Sequence, residues 1–148
     1  MAVRLEITLK DHLIDPEGEG IRKKARAYFG IDAERIRSVA ILTIDAALSG
    51  GELERIRQEV FTNPVTQLSS YRPLAQACDW VIWVGLRPGV RDNPGATAVE
   101  AIEDVLGRRL GAGEAVYTSK RYCIQGPRLT RQEVETIAGQ LLGLIGKL

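Results

Sequence analysis

The amino-acid sequence predicts an α+β fold in which a strand-helix-strand-helix unit occurs twice, with antiparallel sheets carrying helices on one face. Three observations lead there: the two halves match at a near-constant offset, the opening strand alternates in polarity, and a Ser or Thr followed three residues later by Glu recurs at corresponding places. The 148 residues hold 20 Lys plus Arg against 19 Asp plus Glu, so no net field favours nucleic acid. Hydrophobic content of 45% with 26% charged residues describes an ordinary globular chain.

Val3, Leu5, Ile7 and Leu9 alternate with Arg4, Glu6, Thr8 and Lys10, the period-two pattern of a strand with one buried face. Adding 77 lands on Trp80, Ile82, Val84 and Leu86, and carries Asp15 to Asp92, Gly18 to Gly95 and Gly30 to Gly107. A helix follows each strand. Its inner face is expected to be Ile21, Ala25, Tyr28 and Phe29 in the first copy and Ala98, Ile102, Val105 and Leu106 in the second, with Gly30 and Gly107 as left-handed C-terminal caps. Returning strands over residues 36–44 and 115–124 are rich in β-branched and aromatic residues.

The offset then becomes 81, and Ser49-x-x-Glu52 maps onto Thr130-x-x-Glu133, a capping box at the start of each last helix. The apolar sides of those helices are Leu53, Ile56, Val60 and Phe61, and Val134, Ile137, Leu141 and Leu142. Between the copies, Pro64 and Pro73 bracket a candidate edge strand around residues 68–72. The expected architecture is two tandem ferredoxin-like halves, residues 1–74 and 75–148, forming one compact unit with pseudo-twofold symmetry. The halves differ in one respect. Val81 and Trp83 stand where the first strand has Glu6 and its charged neighbours, so the second strand is apolar on both sides. Val81 and Trp83 are therefore interface candidates, to be covered by the other half's sheet or by a partner chain.

Catalytic chemistry finds little support. His12 is the only histidine, which excludes His-rich metal sites and leaves a Cys-His dyad without a placed partner; neither a GxxxxGK[ST] loop nor a GxGxxG turn after a strand occurs. No catalytic residue and no metal ligand set is assigned, and Glu100, Glu103 and Asp104 read as the wet face of a helix. Cys78 and Cys123, without CxxC spacing, read as reduced core residues. With no charged-then-apolar leader and no apolar run long enough to span a bilayer, a cytoplasmic protein that neither crosses a membrane nor binds nucleic acid is expected. The polar connection Arg87-Pro88-Gly89-Val90-Arg91-Asp92-Asn93 offers two guanidiniums beside a helix start, able to hold a phosphate or a partner carboxylate, although Asp92, Asn93, Pro94 and Gly95 also suit a capped turn. Thr97, Thr118 and Ser119 supply further hydroxyl donors for a ligand or partner.

Several of these residues carry a family resemblance. Thr8-Leu9-Lys10, Leu13-Ile14-Asp15-Pro16-Glu17-Gly18 and Phe61-x-Asn63-Pro64-Val65 resemble the small PurS subunit of phosphoribosylformylglycinamidine synthase. The stretch Arg87-Pro88-Gly89-Val90-x-Asp92-Asn93-x-Gly95-x-Thr97-Ala98-x-Glu100-Ala101-Ile102-Glu103-Asp104 is similar to the amino-terminal PurS-like domain of PurL-type synthases, as are Val116-Tyr117-Thr118-Ser119 and Tyr122-x-Ile124-x-Gly126. The resemblance implies a non-catalytic assembly subunit or domain of the amidotransferase that converts formylglycinamide ribonucleotide (FGAR) to its amidine (FGAM) in purine biosynthesis. It places ATP and Mg in PurL-type synthetase domains, on the same or a separate chain, and glutamine hydrolysis in a PurQ-type glutaminase. No cofactor is expected on this chain itself, and a homo-oligomer is compatible with the reading. The alternative is a ferredoxin-like regulatory module that binds a small molecule between its copies.

Overall fold

A computed structural model describes residues 2–74, 76–85 and 93–141. In chain order the elements are β1 (Ala2–Leu9), α1 (Pro16–Phe29), β2 (Arg35–Asp45), α2 (Gly50–Ile56), β3 (Gln67–Ser70), β4 (Trp80–Gly85), α3 (Asn93–Leu106), β5 (Ala115–Gln125) and α4 (Arg131–Thr136). Both α2 and α4 run on as π-helical segments, over Arg57–Phe61 and Ile137–Leu141. Among the described residues, no helix is long and apolar enough to cross a membrane.

The fold is α+β. Where the sequence suggested separate sheets, all five strands join one antiparallel sheet in the order β3-β1-β2-β5-β4. The two halves meet through β2 and β5, which pair from Arg35↔Gln125 to Asp45↔Ala115, with Ala40↔Lys120 at the middle. Central strands must be apolar on both faces. β2 meets that demand, because Ile36 and Ile44 are buried toward the helices while Val39 and Ile41 are buried on the opposite face.

The helices cover one face: α1 lies closest to β2 and α3 to β5, and their inner side chains extend into cores shared with the other half. Ile21 and Ala25 of α1 pack in one core with Ile82, Tyr122 and Ile124 of β4 and β5, and with Val134 and Ile137 at the end of the chain. Ala98 and Ile102 of α3 pack in a second core with Leu5 and Ile7 of β1, Ile44 of β2 and Ile56 of α2. Tyr28 and Phe29, expected on the inner face, are instead exposed and meet edge to face at 6.4 Å. Gly30, at φ 64°, turns the chain so that Ile31 and Ala33 enter the core in their place. Gly107 caps α3 at φ 71°, where Val105 and Leu106 are half-buried.

Local signals set the helix starts. Asp15 caps α1 by accepting from Glu17 N at 3.1 Å and Gly18 N at 3.3 Å, while its second oxygen accepts from Ser38 N at 2.6 Å and Ser38 Oγ at 2.8 Å. One buried carboxylate therefore ties the helix to β2. Both capping boxes form: Ser49 Oγ accepts from Glu52 N at 3.1 Å and Glu52 Oε1 from Ser49 N at 3.0 Å, and Thr130 and Glu133 repeat the exchange at 3.2 and 2.9 Å. The buried Arg37 donates to the carbonyls of Leu9, Lys10 and Leu13 and so fixes the turn between β1 and α1.

Since β3 and β4 lie at opposite edges, the chain between them must cross the sheet. Leu74 and Ala77 lie on the face away from the helices, where Leu74 N donates to Glu6 Oε1 at 3.0 Å and Gln125 Nε2 donates to Ala77 O at 2.9 Å. Here the expectation of two reduced cysteines fails: Cys78 and Cys123 are joined in a disulfide with their Cα atoms 5.3 Å apart. The crossing brings Cys78 alongside the end of β5, a proximity that spacing in the sequence does not reveal. A link closing 45 residues restricts the unfolded chain, and reduction is expected to lower stability by about 2–4 kcal/mol. Denaturant unfolding with and without dithiothreitol checks this, and equal midpoints would contradict it.

Candidate functional site

Strand alternation gives the helix-free face its content. Arg4, Glu6 and Thr8 of β1 share it with Val39 and Ile41 of β2, Tyr117, Ser119 and Arg121 of β5, and Val81 and Trp83 of β4. Glu6 and Arg121, 115 residues apart in sequence, form a bidentate pair with Arg121 Nη1 to Glu6 Oε2 at 3.0 Å and Nη2 to Oε1 at 2.6 Å. Both side chains are largely buried, at 6% and 14% exposure. The Arg121 guanidinium, helped by the Leu74 amide, holds the Glu6 carboxyl below the usual carboxylate range against the opposing effect of burial. Arg121 in turn rises above its ordinary value because Glu6 accepts from it.

Trp83 lies beside this pair. The Arg4 guanidinium carbon stands 4.9 Å from the centre of its ring and that of Arg121 5.9 Å, so two cations share one indole face region. Val81, Trp83 and Tyr117 nevertheless remain 52%, 43% and 54% exposed. Cover of Val81 and Trp83 by the other half's sheet, one of the two expected outcomes, does not occur, because the halves lie side by side in one sheet. Such a face has an apolar rim around a fixed ion pair. It suits protein contact, in which aromatic and Arg side chains commonly anchor, better than turnover of a small substrate.

On the helix side, a groove of about 410 Å³ opens over the β2–β5 junction, lined by Ala40, Leu42, Val84, Pro94, Thr118 and Lys120. Lys120 Nζ donates to both carboxylate oxygens of Glu17 at 2.9 and 2.8 Å, and Tyr122 Oη donates to Glu17 at 2.6 Å. Burial first, then the Glu17 carboxylate, pushes the Tyr122 phenol upward, so it serves as a donor and not as a base.

The remaining sequence candidates disperse. Arg87, Arg91 and Asp92 lie outside the described residues, while Asn93 and Thr97 are exposed near the start of α3. Thr118 lines the groove, whereas alternation sends the neighbouring Ser119 side chain to the opposite face, so the two hydroxyls do not converge. His12 is exposed in the turn after β1. Glu100 and Asp104 are exposed, and Glu103 accepts from Leu110 N at 2.9 Å, closing the loop after α3. Among the described residues no group of three or more His, Cys, Asp or Glu could hold a metal ion. The Glu6–Arg121 pair was missed from sequence. The alternating charges Arg4, Glu6 and Lys10 on one face of β1 do not single out Glu6, so no local signal marks the pair. Comparison with protein-family models, curated proteins and solved structures found no match.

Proposed function

We propose that this chain is a non-catalytic, PurS-like assembly subunit or domain of a glutamine- and ATP-dependent amidotransferase, the synthase that converts FGAR to FGAM. The observation that carries the reading is the arrangement of the two halves. Each supplies β-α-β-α in the same order, β1 and β4 flank β2 and β5, and the inner side chains of α1 and α3 enter cores shared with the opposite half. A duplication that fuses a former pair of identical subunits gives this arrangement naturally, with an approximate twofold axis near Ala40↔Lys120. The motif resemblance supplies the biochemical context. Val81, Trp83 and Tyr117 give the module a surface for its partners, the PurL-type synthetase and the PurQ-type glutaminase. ATP and Mg belong to the synthetase.

Alone, the chain is expected neither to release ammonia from glutamine nor to consume ATP. Added to synthetase and glutaminase from the same source, it should make glutamine-dependent amidine formation possible. Reproducible turnover by the purified chain, or full glutamine-dependent activity of the two partners without it, would overturn the reading. A regulatory small-molecule module is the second reading, favoured by the groove of about 410 Å³ at the junction of the halves.

A further inference from the structure

The connection from β3 to β4 is held differently from the rest of the fold. Tyr71 at its start and Trp80 at its end each pack against a hydrophobic core, but none of the described residues between them belongs to either core. Its attachments are polar. At the near end Arg72 N donates to Ser70 Oγ at 2.9 Å and Leu74 N to Glu6 Oε1 at 3.0 Å. At the far end Gln125 Nε2 donates to Ala77 O at 2.9 Å, Asp79 N to Ile124 O at 2.9 Å, and Gly126 N to Asp79 Oδ2 at 2.8 Å. Gln76 Oε1 is buried, and no described group donates to it, so laying this connection on the sheet takes a polar atom out of water without compensation.

A stretch of chain with few buried apolar contacts lies at the low end of local stability and is the first to open. The Cys78–Cys123 disulfide alters that balance, because it fastens the connection covalently to β5, 45 residues further along the chain. The two sulfurs are not equally placed. Cys123 is buried, at 2% exposure, whereas Cys78, on the connection itself, is half-buried. A reductant in solution therefore reaches Cys78 first.

We propose that the segment bearing Arg72, Leu74, Gln76 and Cys78 is a redox-sensitive strap on the helix-free face, held closed by its disulfide and released by a dithiol reductant. One thiolate of the reductant attacks Cys78 Sγ, the sulfur–sulfur bond breaks, and Cys123 leaves as a thiolate that takes up a proton. The second thiolate of the reductant attacks the mixed disulfide and expels Cys78, which is protonated in turn. Two electrons and two protons have then passed to the protein, and the reductant has become a cyclic disulfide. Release detaches Leu74 from Glu6, on the face that also carries Val81, Trp83 and Tyr117, and reoxidation closes the strap again. This goes beyond the assembly reading and does not depend on it, since every readout below comes from the chain alone.

Amide hydrogen exchange, resolved by residue and compared in the oxidised chain and after dithiothreitol, tests the strap. With the link intact, the Leu74 amide should be protected at least about tenfold relative to an unstructured peptide. After reduction it should exchange at the unstructured rate, independently of urea below the unfolding transition, while the amides of Val39–Ile44 in β2 stay protected. Cys78→Ser should give the same fast exchange without reductant, and its remaining thiol, Cys123, should then react with iodoacetamide in the folded chain. Equal protection of Leu74 in the two redox states would overturn the proposal, because the strap would stay shut without its link. So would Leu74 exchange that rises with urea in step with the Val39–Ile44 amides, which makes release a part of global unfolding. Two titratable thiols persisting in the chain after air oxidation would remove the link itself and the proposal with it.

Discussion

Gly18→Ala is expected to destabilise the protein by about 3–5 kcal/mol, enough to leave much of a marginally stable domain unfolded. A Cβ at this position would stand 1.9 Å from Ile36 O and 2.7 Å from Ile36 C. Both are backbone atoms of β2, held in place by the pairing of Ile36 with Ile124 of β5 and by the hydrogen bonds of Arg37 to the turn after β1. Moving α1 outward instead would pull Asp15 from Ser38 and lift Ile21 and Ala25 off the core. Gly20 is the control. It lies in the same helix with nothing within 4 Å of its would-be Cβ, so Gly20→Ala should raise stability by up to about 1 kcal/mol through helix propensity. Urea unfolding of the two variants checks both signs, and equal effects would contradict the close approach of α1 to β2.

Arg121→Met should cost up to about 3–5 kcal/mol, because it removes the bidentate partner of a carboxylate that is only 6% exposed and leaves it only the Leu74 amide and the weaker pull of Arg4. The double variant Glu6→Gln, Arg121→Met should recover much of the loss, since the isolated charge is what costs. Acid provides a second test. Glu6 titrates below its ordinary value in the folded protein, so its contribution is fully present above the unfolded carboxylate value near 4.5 and disappears as pH falls through the lower folded value. The wild-type chain should therefore lose stability below that range more steeply than the double variant. Parallel pH profiles would show that the pair does not stabilise the fold.

Much of the local structure was legible in the sequence because its causes are local. Period-two alternation marked β1, the Ser49–Glu52 and Thr130–Glu133 spacings marked two helix starts, and Gly30 and Gly107 marked two helix ends. The α+β class followed from these. What escaped depends on pairing over long sequence distances, which periodicity does not encode. The β2–β5 join that merges the halves into one sheet is of this kind, as are the Glu6–Arg121 pair and the Cys78–Cys123 link. Tyr28 and Phe29 have the spacing of an inner helix face, yet competition for the same space is won by Ile31 and Ala33 after the turn at Gly30. Of the candidate site, Val81 and Trp83 were visible as a departure from alternation. Their arginine neighbours required the register of four strands to be known.

That these exposed apolar side chains serve assembly is the central claim, and sedimentation velocity tests it most directly. The 16.3 kDa chain is mixed with a PurL-type synthetase and a PurQ-type glutaminase from the same source, in the presence of glutamine, ATP and Mg. The predicted result is one fast-sedimenting species containing all three proteins, which loses the chain when Trp83→Ser and Tyr117→Ser are introduced together. If the wild-type chain sediments at its own slow rate while its partners are unaffected by its presence, the assembly function is wrong.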